Sequence, residues 1–153
     1  MQLIQAPARY VFPALFENGE DGEIIVTFPD LPEAITFGRS EEDALEQAQD
    51  CLREALRGRM RDQEDIPQPS QDVTGARAIS PPAEMAAKVA VYEAFQRAGM
   101  TRVALADRLH VHEGEVRRIL DPNHRTKLER LDEAARALGG RLEVTFVPAD
   151  GNG

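Results

Sequence analysis

Cysteine is all but absent from this sequence: Cys51 is the only one among 153 residues. A lone cysteine forms no intramolecular disulfide and anchors no cysteine-based metal cluster. Long apolar runs are missing too, and nothing approaches the ~20 residues needed to span a bilayer. The opening Met-Gln-Leu-Ile-Gln-Ala-Pro lacks the basic start and apolar centre of a signal peptide. These absences point to a cytoplasmic protein without contact to a membrane. Histidine occurs three times, at 110, 112 and 124. Two of these are spaced two apart, which suits neither face of a helix, and no carboxylate or thiol framework supports them. No metal and no cofactor are expected. Basic residues are also short, with 18 Lys and Arg against 27 Asp and Glu and a formal net charge of -9. Taken alone, that balance argues against nucleic acid as a partner.

The deficit is unevenly spread. Residues 1–72 hold 6 Arg and no Lys against 16 acids, a net of -10, whereas residues 73–153 hold 12 basic against 11 acidic residues, a net of +1. Acidic, solvated helix faces would produce such a split. So would two modules with different partners, a basic molecule for the first half and DNA for the second. The length admits one ordinary domain or two small ones, so the local patterns must decide.

In the first half, residues 9–15 are strand-like, although Pro13 suits an edge or bulge better than a central strand. Glu17–Gly22 supplies turn chemistry, and Glu23–Phe28 is a β-branched, apolar strand. Pro29-Asp30-Leu31-Pro32 ends it, because proline donates nothing to a ladder. Ala34–Phe37, closed by Gly38, fits a third strand. A helix follows, with Ser40 and Asp43 as a capping pair and acids in its first turn. Its apolar stripe runs through Ala44, Leu45, Ala48, Cys51, Leu52, Ala55, Leu56 and Met60. Cys51, lying inside the stripe, reads as a small packing residue.

Catalysis finds little support here. A metal-dependent hydrolase needs several carboxylates converging from different elements, and Asp30 is the only acid at a suggestive strand end. There is no phosphate loop and no nucleophile beside a base. Instead Tyr10…Pro13-Ala14, Gly22, Phe28-Pro29-Asp30-Leu31-Pro32, Gly38, Ser40-Glu41-Glu42-Asp43-Ala44-Leu45…Ala48 and Ile66-Pro67-Gln68-Pro69-Ser70 together resemble the N-terminal domain of the HicB antitoxin family. Where that family often has Gly-Cys after Pro-Asp-Leu-Pro, this chain has Glu33-Ala34. The resemblance implies a truncated ribonuclease H-like β-β-β-α-β domain without nuclease residues. It also implies a partner, the HicA toxin, a small basic ribonuclease that cleaves mRNA and whose active site the antitoxin blocks. The plausible contacts are the corner Phe28, Pro29, Asp30, Leu31 and Pro32 and the outer helix acids Glu42, Glu46 and Asp50.

Pro67, Pro69, Pro81 and Pro82 mark a connector over residues 61–82, within which Val73–Ile79 is the candidate for the fourth strand that the family fold implies. A boundary near Ser80 gives two domains, 1–80 and 81–153. Ala83–Ala98 then carries Met85, Val89, Tyr92 and Phe95 at helical spacing and stops at Gly99. Thr101 caps a short helix, Arg102–Leu109. After His110-Val111-His112 comes a second, Glu113–Leu120, ended by Asp121-Pro122. The three-residue break, the small Ala106 and the apolar Val111, Val116 and Ile119 fit a helix-turn-helix. A turn of this kind favours glycine where His110 stands, because the backbone is left-handed there, a conformation histidine tolerates better than branched residues. His112 occupies the capping position that Ser or Thr would normally fill.

Outward on the second helix lie Glu113, Gly114, Arg117 and Arg118, the arginines suited to guanine edges or phosphates. Thr101, His112, His124, Arg125 and Lys127 complete the expected DNA-binding set, with Arg130 adding charge nearby. Lys127–Leu138 is a further amphipathic helix, and Arg141–Val147 alternates like a half-exposed strand. An unpaired strand at a chain's end pairs with its counterpart in a second copy, so Leu142, Val144 and Phe146 are the expected dimer contacts. A symmetric dimer also compensates for weak DNA binding by a nearly neutral domain. The tail Pro148–Gly153 is expected to be disordered.

Ala87–Tyr92, Leu105-Ala106…Leu109-His110-Val111, Val116–Pro122 and Leu138-Gly139 again resemble HicB antitoxins, those that carry a helix-turn-helix. The fold class expected is therefore α+β, a ribonuclease H-like unit followed by a helical helix-turn-helix unit with a terminal β-strand. What the resemblance implies is a non-enzymatic antitoxin that neutralises its toxin and represses its own operon, acting as a homodimer or higher oligomer. Two other readings stay open: a transcriptional regulator whose N-terminal domain senses a small ligand, and a nuclease dependent on Asp30.

Overall fold

A computed structural model describes residues 6–149, so the opening five residues and the tail from Asp150 lie outside the described part. The expectation of a disordered tail therefore falls largely on residues outside it. Over the described residues the chain is α+β, with one four-stranded antiparallel sheet and five helices. Strands β1 (Phe12–Asn18), β2 (Ile24–Thr27) and β3 (Ile35–Gly38) form a meander. Helix α1 (Glu41–Arg61) follows, then β4 (Arg77–Ile79) and the helices α2 (Ala83–Ala98), α3 (Arg102–Leu109), α4 (Glu113–Leu120) and α5 (Leu128–Ala137).

The sheet order is β3-β2-β1-β4, which makes β1 an inner strand and raises the question of Pro13. The β2 ladder covers only Leu15–Asn18 of β1, while Pro13 is paired with Ala78 of β4 alone. Proline thus sits where one side of the strand has no ladder to lose. The strand also begins three residues later than its apolar pattern suggests. Ile79 already faces Phe12, and Pro81-Pro82 follow immediately, so β4 offers nothing for Tyr10 and Val11 to pair with. Tyr10 is buried by packing instead.

Helix α1 lies across the sheet through Ala44, Ala48, Leu52, Leu56 and Met60, a buried stripe repeating every four residues. Its start is fixed twice: Ser40 Oγ accepts from Asp43 N at 3.1 Å, and Asp43 Oδ2 accepts from Arg39 N at 2.9 Å. Gly38 is needed for the close approach of β3 and α1. A Cβ there would run into the backbone of Ala44 and lie 2.8 Å from its methyl group.

Helix α2 serves two cores. Met85, Val89 and Tyr92 join the cluster of sheet and α1, while Val91 belongs with Ile119, Leu131, Ala134 and Ala135. The exit segment is tied down on the way: Tyr92 Oη donates to the Glu64 carbonyl at 2.8 Å, and Arg59, which also grips both oxygens of Glu33, donates to the Asp65 carbonyl at 3.1 Å.

One expected element does not form. Residues 141–147 are irregular, with Val144 and Phe146 82% and 88% exposed. The alternating pattern is present, but no described strand lies beside it, and an extended segment without a ladder leaves its backbone groups to water. Leu142 alone is anchored, its N–H donating to Asp132 Oδ1 at 3.0 Å.

Candidate functional site

The α3–α4 pair is built around a left-handed turn. Thr101 Oγ1 accepts from Ala104 N at 3.1 Å and starts α3. His110 ends it at φ 57°, ψ 43°, and its neighbour's N–H returns to Ala106 O (Val111 to Ala106, 3.0 Å). That conformation is unfavourable for most side chains, and histidine is among those that adopt it. Leu105, Ala106 and Val116 are buried together, with Val111, Phe95 and Leu120 against them. The small Ala106 lets the helices approach, and Val111 fills the corner. His112 precedes α4 without a side-chain cap.

Buried inward by Val116 and Ile119, α4 turns Arg117 and Arg118 outward, their side chains 64% and 54% exposed. Gly114 adds open space on the same helix, since nothing lies within 4 Å of where its Cβ would be. The two acids of this helix are each shared between two arginines. Glu113 meets Arg117 at 2.9 Å and Arg102 at 3.3 Å. Glu115 meets Arg118 at 2.8 Å and Arg130 at 3.6 Å, and Arg118 above all holds its carboxyl below the usual range. Such exposed pairs are worth little, so exchanging a carboxylate for a phosphate at these arginines is a small change in energy. Around them stand Arg125, 89% exposed and 3.6 Å from Glu84, the exposed Lys127, and half-buried His124, whose Nδ1 lies 3.0 Å from Thr126 Oγ1.

Lys88 of α2 is the residue that sequence reasoning missed. It is 5% exposed, and its Nζ donates to Arg118 O at 3.2 Å, to His124 O and to Thr126 Oγ1 at 2.9 Å. One ammonium thus fixes the end of α4 and the following loop to α2, satisfying three acceptors with its three protons. Burial brings its pKa down to about 8 from 10.5, against the opposing pull of Asp121 and Glu84. The available signal was its place between Met85, Val89 and Tyr92, a lysine amid an apolar stripe.

The candidate residues of the first half are scattered by the fold. Phe28 and Leu31 are core residues, 2% and 0% exposed, and a side chain without surface touches no partner. Pro29 and Pro32 are exposed. Asp30 is occupied within the chain: its Oδ2 accepts from Ser70 N at 2.9 Å and its Oδ1 from Ser70 Oγ at 2.5 Å. Glu42, Glu46 and Asp50 line the exposed side of α1, with Asp50 paired to Arg53. The Cys51 thiol, half-buried, has its pKa pushed up by burial, as befits a packing residue. Among the described residues no three His, Cys, Asp or Glu side chains stand together as a metal site, and no helix is long and apolar enough to cross a membrane.

Comparison with known proteins places these features in context. Residues 11–90 match the family described as HicB_like antitoxin of bacterial toxin-antitoxin system. Antitoxin HicB 1 of Photorhabdus laumondii is 37% identical over 135 residues, 88% of this chain and 86% of that protein. Antitoxin HicB of Escherichia coli is 33% identical over 136 residues, 89% of this chain and 99% of that one. Antitoxin HicB of Pseudomonas fluorescens is 31% identical over 137 residues, 89% and 94% respectively.

Proposed function

The chain belongs to the HicB-like antitoxin family, and from that premise we propose that it is a cytoplasmic antitoxin with two working units. Residues 1–80, read as a truncated ribonuclease H-like unit, bind and neutralise a small basic HicA-like toxin that cleaves mRNA. Residues 81–153 bind operator DNA through a helix-turn-helix and repress the operon, as a dimer. Family membership suggests a regulatory rather than an enzymatic role.

The DNA-binding half is carried by the geometry of α3 and α4. A left-handed turn at His110 sets α4 with Val116 and Ile119 inward and Arg117 and Arg118 outward. In this reading α4 enters the major groove, its arginines reach guanine edges, and Thr101, His112, His124, Arg125 and Lys127 approach the backbone. Glu113 releases Arg102 and Arg117 as phosphates replace it. The exposed Leu142–Val147 segment becomes a strand when a second copy supplies its partner, bringing Leu142, Val144 and Phe146 together. The test is an electrophoretic mobility shift on the operon's own promoter. A sequence-specific shift supports the reading; binding no tighter than to unrelated duplex refutes the repressor half.

A further inference from the structure

The sheet has one face covered by α1, and its other face is open towards β3, although Pro13 on the same face of β1 is buried. Directly opposed residues share a face, so the rungs Glu17–Ile25–Phe37 and Leu15–Thr27–Ile35 point away from the Phe16–Val26–Thr36 rung, whose Val26 is fully buried and whose Phe16 packs against the core. Ile35 and Phe37 are 63% and 55% exposed, and they are the only exposed large apolar side chains among described residues up to Ser80. Both stand on β3, an edge strand paired only with β2. The sequence Ile35-Thr36-Phe37-Gly38 carries neither a charge nor a proline to blunt that edge. An apolar patch on an unprotected edge marks an interaction site.

The rim indicates what occupies it. Asp21 and Glu23 line the same shallow depression of about 700 Å³ as Ile25, Ile35 and Phe37, and Glu17 completes the Ile25–Phe37 rung. Arg39 is the one cation on this lining. A second copy of the chain, meeting the patch with its own patch, would set these acids against themselves. A basic partner meets them with opposite charge. The acids Glu42, Glu46 and Asp50 form only a polar stripe on α1, without the apolar centre that dominates binding energy.

We propose that the basic toxin docks on this open sheet face, burying Ile25, Ile35 and Phe37 and placing its cations against Glu17, Asp21 and Glu23. The proposal rests on the antitoxin reading above and names the surface which that reading leaves open. The full chain is titrated with the small basic protein encoded in the adjacent reading frame. Three variants are compared with it: Ile35→Lys with Phe37→Lys; Glu17→Lys with Asp21→Lys and Glu23→Lys; and Glu42→Ala with Glu46→Ala and Asp50→Ala. The first is expected to weaken binding at least about 30-fold. The second weakens association and flattens its salt dependence, and the third changes affinity less than about 5-fold. Thermal melting and operator binding keep unfolding separate from lost contact, and the second variant, confined to the turn and strand end, stands should the first not fold. Undiminished binding by the two sheet-face variants, or equal loss in the α1 variant, overturns the proposal. So does sedimentation showing that Ile35→Lys with Phe37→Lys splits an oligomer while toxin binding persists, which would make the face a self-interface. If the unmutated chain does not bind the neighbouring protein, the antitoxin reading itself fails.

Discussion

Two buried residues, Gly38 and Lys88, do more for the working surfaces than their neighbours suggest. Gly38 lets α1 lie down on β3, and a methyl group there meets the backbone of Ala44 rather than a flexible side-chain tip. Gly38→Ala is therefore expected to destabilise the chain by about 1–3 kcal/mol, measured by urea unfolding; an unchanged midpoint would contradict this packing. Lys88 brings a pH dependence. Below about pH 8 it is charged in both folded and unfolded chains, and the penalty of its burial is fully present. Between about 8 and 10.5 the folded chain gives up a proton that the unfolded chain retains. Its contribution to stability therefore rises with pH across that window. Wild type should gain in melting temperature relative to Lys88→Met between pH 7.5 and 10, whereas parallel curves would place the ammonium in solvent. Comparing the two chains removes the opposing effect of Tyr10, Tyr92 and Cys51, whose pKa values are raised.

At the scale of elements, most of the chain was legible because helices announce themselves locally. Ser40 and Thr101 do cap α1 and α3, Gly99 does stop α2 in the left-handed region, and the expected stripe of α1 faces the core, with Ala44, Ala48, Leu52, Leu56 and Met60 buried and Leu45, Cys51 and Ala55 half-buried at its flank. His110 takes the positive φ that its position in the turn requires. What was illegible depended on partners distant in sequence. The start of β1 is set by where β4 runs out, the isolated 141–147 segment lacks a strand to pair with, and Glu113 and Glu115 are neutralised by Arg102 and Arg130 from other helices. Phe28 and Leu31, expected among the partner contacts, are folded into the core by the turn. The uncapped start of α4 yields a prediction of its own. His112→Ser should stabilise the α3–α4 pair by about 0.5–1 kcal/mol, read as a higher melting temperature. No gain would mean that the first N–H groups of α4 already have partners.

For the whole molecule, the arrangement of charge and the shared helix α2 matter most. The acidic first unit presents an apolar patch with an acidic rim, and the second presents arginines held by replaceable carboxylates. In the proposed reading a single such unit, nearly neutral in charge, would bind DNA weakly, so the C-terminal segment is expected to join two copies. Val144→Ser with Phe146→Ser should lower the sedimentation mass to that of a monomer and weaken operator binding at least tenfold; an unchanged mass would remove this segment from the interface. The central claim is that partner binding and operator binding reside on different surfaces of one chain. The direct measurement is to titrate Arg117→Ala with Arg118→Ala against both operator DNA and the neighbouring basic protein. The account predicts that specific DNA binding is abolished while affinity for the protein stays within about twofold of wild type. Equal loss of both, in a chain that melts normally, would contradict it.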